Sequence, residues 1–117
     1  MESSERGIFM AAFQLQENEA FVGSGMMAYK HTNSVTRQPT RGMIYVTNQR
    51  VCYYESWSNY VYMDLPLSEV AGYDTKRVLF VSFVYIYDKN HVQYAFSGFC
   101  AKKLQGWLEQ VGVRKLS

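Results

Sequence analysis

The sequence predicts a mainly β domain: about seven antiparallel strands capped by one C-terminal amphipathic α-helix. Three observations carry this. Residues 41–55, RGMIYVTNQRVCYYE, read as a tight hairpin with apolar alternation on both arms. The other apolar runs are separated by short polar turns, which favour antiparallel neighbours over parallel crossovers. Near the C-terminus, Cys100, Leu104, Trp107, Leu108 and Val111 form the apolar stripe of a helix lying on a core.

The elements follow in order. Residues 1–6 are polar and acidic and read as a frayed tail, not a signal peptide. Gly7–Leu15 is a short apolar element, either strand or helical turns. Gln16–Glu19 is a polar break in which Glu17 and Glu19 read as solvated. Ala20–Lys30 reads as the first strand, with Gly23 and Gly25 marking strong bending. His31–Thr40 is a polar loop. In the hairpin, Ile44, Val46, Val51 and Tyr53 are expected to face inward and Met43, Tyr45, Cys52 and Tyr54 outward. Asn48 is the natural turn residue, and Gly42 marks a sharp turn or bulge. Residues 56–59 form a second turn, Tyr60–Leu65 a strand ended by Pro66, and residues 67–73 a short strand. Asp74–Arg77 reads as a turn. Val78–Tyr87 is the most apolar stretch and is expected to be a strand buried on both faces or meeting a partner on one. Residues 88–90 are a turn, and His91–Phe96 returns. Ser97 is a candidate N-cap. Gly106 sits inside the helix, where it is expected to allow close approach to a strand, and Gly112 is a natural helix stop. Trp107 reads as a plug for the core.

At 117 residues the chain fits one domain with a single core, and its 19% charged content is ordinary for a globular protein. The expected division is residues 1–15 as a tail and short element, 16–113 as the domain and 114–117 as a C-terminal tail. The net charge of +2 is too small to indicate nucleic acid. No apolar run approaches the length of about 18 residues needed to span a bilayer as a helix. Cys52 and Cys100 show no metal or redox spacing, so both are expected to be reduced thiols in a cytoplasmic protein.

The residues Gly42, Tyr45, Thr47, Asn48 and Arg50, with Ile44, Val46, Val51 and Tyr53 matching in character, resemble the G-x-L-Y-L-T-N-x-R-L-I-F segment of GRAM and bacterial PH-like domains. The segment L-P-L-S-E-V at 65–70 is similar to the stretch that follows this hairpin in GRAM-like domains. The resemblance spans about residues 17–112. It implies a PH-like barrel of two nearly orthogonal sheets closed at one end by the helix, an N-terminal element packed on that barrel, and a bacterial assembly module.

No catalytic constellation, metal set or cofactor motif can be assembled. His31 and His91 lack partners at ligand spacing, and the GSG of residues 23–25 lacks the lysine and spacing of a phosphate loop. The expected activity is therefore binding without catalysis. The first expectation is a protein partner, including a second copy, bound through Met43, Tyr45, Tyr54, Tyr60, Tyr62, Phe83 and Tyr85, with Leu79 beside them. The alternative is peripheral binding of an anionic lipid headgroup. The resemblance places basic residues of lipid-binding relatives around the first loop, here Lys30, Arg37 and Arg41.

Overall fold

The computed structural model describes residues 13–31 and 37–117. The strands are β1 (Phe21–Lys30), β2 (Thr40–Thr47), β3 (Arg50–Glu55), β4 (Val61–Pro66), β5 (Val70–Val78), β6 (Val81–Asp88) and β7 (Gln93–Ser97). A 3-10 turn, Leu67–Glu69, joins β4 to β5, and helix α1 (Ala101–Gln110) follows β7. The seven antiparallel strands and single C-terminal helix match the expectation. The finer picture, a barrel of two sheets, is corrected. The strands hydrogen-bond as one open sheet in the order β4-β3-β2-β1-β7-β6-β5, with β4 and β5 at its edges. β1 joins the two halves: it pairs with β2 from Phe21 to Tyr29, but with β7 only over Ala28–Lys30.

The hairpin alternates as its sequence dictates. Ile44, Val46, Val51 and Tyr53 are fully buried on the inner face. They meet Val84, Ile86 and Phe96 from the other half of the sheet, and Leu104 and Leu108 from α1, in one core. Tyr53 carries its hydroxyl into this core, 2.8 and 2.9 Å from the carbonyls of Met27 and Thr40, so the buried polar atom is satisfied. On the inner face of β1, Gly23 and Gly25 let the helix side come close. A Cβ at Gly23 would stand 2.1 Å from the Trp107 ring, and one at Gly25 would stand 2.6 Å from Cys100 Sγ. Trp107 thus packs on bare backbone, in keeping with its expected role as a plug.

Several local expectations are corrected. Asp74–Arg77 is not a turn but the second half of β5, paired with β6 as far as Val78↔Val81. The turn lies at Leu79 and Phe80, inside the apolar stretch, which is therefore split and not buried on both faces. The short strand expected from Leu67 begins only at Val70, after the 3-10 turn. Ser97 ends β7, and Cys100 occupies the helix N-cap position without a side-chain capping bond. Gly106 faces open space, with nothing within 4 Å of where a Cβ would stand, so it serves no close approach.

The β5 edge is covered at Tyr73 by the C-terminal residues. Tyr73 N–H donates to the Arg114 carbonyl (3.0 Å), and Leu116 N–H donates to the Tyr73 carbonyl (2.8 Å). Such cover limits edge-to-edge association. The apolar element expected at Gly7–Leu15 lies outside the described residues except for its last three, as does the middle of the loop between β1 and β2.

Candidate functional site

The family-like hairpin residues hold the fold together. Thr47 Oγ1 accepts the N–H groups of Gln49 and Arg50, both at 3.1 Å, and closes the β2–β3 turn. Asn48 does not serve its own backbone. Its Oδ1 accepts Ala20 N–H at 2.8 Å, while its N–H donates to the Ala20 carbonyl at 3.0 Å. Arg50 Nε and Nη2 donate to the Glu19 carboxylate at 2.8 and 3.2 Å. Thr47 also donates to that carboxylate. Glu19 and Arg50 are 8% and 7% exposed, which corrects the reading of Glu19 as solvated. Glu17 is exposed, as expected. Burial pushes Glu19 upward, but bonds from Arg50, Thr47 and Gln16 N–H, with the Arg50 charge, hold its carboxyl down at about 2. The family-like pattern is thus a clamp between the start of β1 and the hairpin.

The outward aromatics of the hairpin are occupied. Phe13 stacks on Tyr45 with centroids 4.2 Å apart and planes within 3°. It also meets Tyr54 edge-on at 6.0 Å, and the Arg50 guanidinium lies over the Phe13 ring, 4.9 Å from its centroid. Phe13, at the start of the described residues, therefore packs on this hairpin. Tyr62 loses its Cα partner at a register slip opposite Tyr53/Tyr54, and its ring joins Tyr29 at 5.0 Å. Tyr60 meets Tyr62 at 4.8 Å.

Of the three predicted cations, Arg37 stands apart from the other two. Its Nη2 donates to Tyr62 Oη at 3.0 Å, and it lines a cavity of about 340 Å³ with Glu55, Ser58, Tyr60 and Tyr62. His31 lies near this end, bonded to Thr40 Oγ1 at 2.6 Å. Burial and the Arg37 charge push it below its usual value.

Lys30 and Arg41 sit on the outer face of the sheet. Cross-strand pairing builds one row there: Lys76, Phe83, Ser97, Ala28 and Arg41, on β5, β6, β7, β1 and β2. Lys30 Nζ lies 5.7 Å from the Phe83 centroid, and Phe83 stacks with Tyr85 at 6.1 Å. Two residues along, the next row holds Val78, Val81, Met26 and Met43. The first three are exposed apolar side chains. On the other side, Asp74 ends the row of Tyr85, Ala95 and Lys30. It is engaged by Ser117 Oγ at 2.6 Å and Thr75 N–H at 2.9 Å.

Past the apolar row lie Leu79 and Phe80, and Phe99 projects from the turn between β7 and α1, fully exposed. Phe99 borders two shallow cavities. One, about 380 Å³, reaches Met26 and Arg41, and the other, about 300 Å³, reaches Phe80 and Lys102. Among the described residues no carboxylate lines either. Sequence reasoning named Lys30, Arg41 and Phe83 but missed Lys76, Lys102, Phe80 and Phe99. Their signal was an acid-free sequence from Thr75 to Tyr87 and from Lys89 to Leu108.

Other chemistry is quiet. Among the described residues no three His, Cys, Asp or Glu side chains converge as a metal site, and no helix is long and apolar enough to cross a membrane. Both cysteines are unpaired. Burial, then the Asp64 bond, pushes the Cys52 thiol up to about 12. Cys52 is accordingly expected to resist a thiol reagent at pH 8 until the protein unfolds. Mass mapping of the labelled residue checks this, and labelling of Cys52 in folded protein at the rate of a free thiol contradicts it.

A family model for the GRAM domain matches residues 6–105. No curated protein sequence matches. Among solved structures, the C-terminal domain of an unknown protein from Leishmania infantum is similar at TM-score 0.70 and 10% identity, over 92% of this chain and 97% of that one. The hSac2 domain of human phosphoinositide phosphatase Sac2 is similar at TM-score 0.59 and 13% identity, over 97% and 84%. The linker-DH/PH region of p115-RhoGEF is similar at TM-score 0.57 and 10% identity, over 82% of this chain and 29% of that one. These likenesses are of fold, PH-like in kind. With the match over most of its length, the chain belongs to the GRAM domain family.

Proposed function

We propose that this domain is a non-catalytic adaptor that docks peripherally on an anionic membrane surface. GRAM and PH-like folds are binding modules for proteins or lipids, and the outer face of the sheet favours a lipid surface. The single observation that supports the lipid reading is the basic row, Lys76 to Arg41 with Lys30 above Phe83, lying directly against an acid-free apolar row. Cations beside exposed apolar side chains match a surface that is charged outside and hydrocarbon beneath. The cations of this face are Lys30, Arg41 and Lys76, so the first-loop cluster is redrawn without Arg37. Protein assembly through the strand aromatics has less support, because Phe13 occupies Tyr45 and Tyr54, and Tyr62 turns toward Tyr29.

Flotation with phosphatidylserine-containing and neutral vesicles tests the proposal. Anionic vesicles are expected to carry the protein, less so as salt rises. At about 1 kcal/mol per cation near the surface, Lys30→Ala/Arg41→Ala/Lys76→Ala is expected to weaken binding about 100-fold. Equal recovery with neutral vesicles, or no flotation, contradicts the proposal.

A further inference from the structure

The hairpin between β5 and β6 breaks two local rules at one place. It is a two-residue connection, Val78↔Val81 being the last pair, with positive φ at Leu79 (56°). Phe80 is not among the positive-φ residues, so the turn is of the kind that normally takes glycine at its first central position. Leucine there is strained. The same leucine is 86% exposed, and Phe80 beside it is 92% exposed. A sequence shaped only by folding would place a small polar residue at both positions. Departures of this sort, costly to the free monomer, mark sites made for a contact.

The surroundings say what the contact is. Leu79 and Phe80 are the projecting, exposed tip of a two-residue hairpin, and Phe99 stands beside Phe80 across the cavity that also reaches Lys102. Exposed Val78, Val81 and Met26 continue the apolar surface behind the tip. Arg77 and Lys76 follow on β5, Arg41 and Lys102 on the flanks, and no acid interrupts them. A projecting apolar finger with a basic collar has the layered polarity of a leaflet seen from the water: anionic headgroups outside, hydrocarbon within. A rigid protein partner would have to supply a matching pocket, whereas a fluid bilayer needs none.

We infer that Leu79, Phe80 and Phe99 are a wedge that inserts below the headgroups of an anionic bilayer. This rests on the membrane reading and adds the part of the protein that penetrates. The apolar insertion supplies the share of binding that salt does not remove, and the basic collar supplies the share that it does.

The test uses vesicles of phosphatidylserine and phosphatidylcholine, with or without bromine on the acyl chains. A Phe80→Trp/Trp57→Phe protein reports the tip, Trp107 being packed on Gly23. Its fluorescence is expected to shift to the blue on binding and to be quenched by the brominated chains. Leu79→Ser/Phe80→Ser is expected to lose at least about tenfold in vesicle affinity, chiefly in the binding that remains at high salt, with its thermal transition retained. If that variant floats as the wild type does, and the Phe80→Trp indole is not quenched in bound protein, the wedge is overturned while the membrane reading stands. If the wild type does not float at all, both fall.

Discussion

Arg50→Ala is expected to cost about 3–5 kcal/mol of folding stability, because it strands the Glu19 carboxylate in a buried site. The clamp it breaks joins three parts of the chain. Arg50 is on β3, Glu19 lies just before β1, and Thr47 closes the turn between β2 and β3. Arg50 Nη2 also holds the Gln14 carbonyl at 2.7 Å, so the segment bearing Phe13 loosens with it. Chemical denaturation followed by far-UV circular dichroism measures the loss. The pH dependence gives a second, independent mark. Glu19 is held at about 2 in the folded protein against a usual 4.5. A carboxyl lowered on folding stabilises the native state above its unfolded value, so this contribution is full above about pH 5 and drains as pH falls from 4.5 toward 2. In Arg50→Ala the Arg50 bonds and charge are gone, and burial is opposed only by the bonds from Thr47 and Gln16 N–H, so the Glu19 pKa rises above its wild-type position. The variant is therefore expected to close part of its gap to wild type as the medium is acidified. A gap that is small at pH 7, or that widens with acid, contradicts the clamp.

The second large effect is expected at Gly42. A Cβ there would stand 2.2 Å from the Tyr54 carbonyl oxygen and 2.8 Å from the Tyr53 ring. The first neighbour is backbone in the paired strand and cannot swing away, unlike the end of a flexible side chain. Gly42→Ala is thus expected to destabilise by about 3 kcal/mol, at the upper end of ordinary overpacking. Gly106→Ala is the natural control. Nothing stands within 4 Å of that position, and alanine is the better helix former by about 1 kcal/mol. Its effect is expected to be stabilising. Opposite signs for two glycine-to-alanine changes, read from thermal unfolding, separate steric need from mere permissiveness. Equal effects would contradict the assignment.

These two glycines show where the sequence was readable. Gly42 opens a hairpin whose period of two is unambiguous, so the faces of Ile44, Val46, Val51 and Tyr53 followed directly, and Pro66 ended its strand where expected. The helix stripe was equally plain, since Leu104 and Leu108 repeat at helical spacing. Gly106 shares that helix but lies on its wet side, a fact that no spacing argument weighed. The turn at Leu79 and Phe80 was hidden because it contains neither Gly, Asn, Asp nor Pro, while the polar run Asp74–Arg77 just before it carried the chemistry of a turn. That run is polar because β5 is an edge strand, where charge is tolerated and useful. The burial of Glu19 was hidden for a different reason: its partner Arg50 is 31 positions away, and only the β1–hairpin register brings them together.

The site was partly legible for the same causes. Lys30 and Arg41 were named through the family resemblance and Phe83 as an outward aromatic of a protein interface, but their convergence is a property of cross-strand register, in which Ala28 pairs with both Arg41 and Ser97. Lys76 was lost with the misplaced turn, and Phe80 with it. Phe99 was overlooked because a single aromatic beside a helix start resembles any core residue, and only its full exposure distinguishes it.

The most direct test of which end of the molecule meets a membrane is hydrogen–deuterium exchange on the wild-type chain, with and without phosphatidylserine vesicles. Protection is expected in peptides covering residues 76–83 and 97–103, with little change over residues 56–62, where Trp57 is exposed at a different turn. Protection confined to residues 56–62, or none in bound protein, would contradict docking through the basic row and the tip beside it.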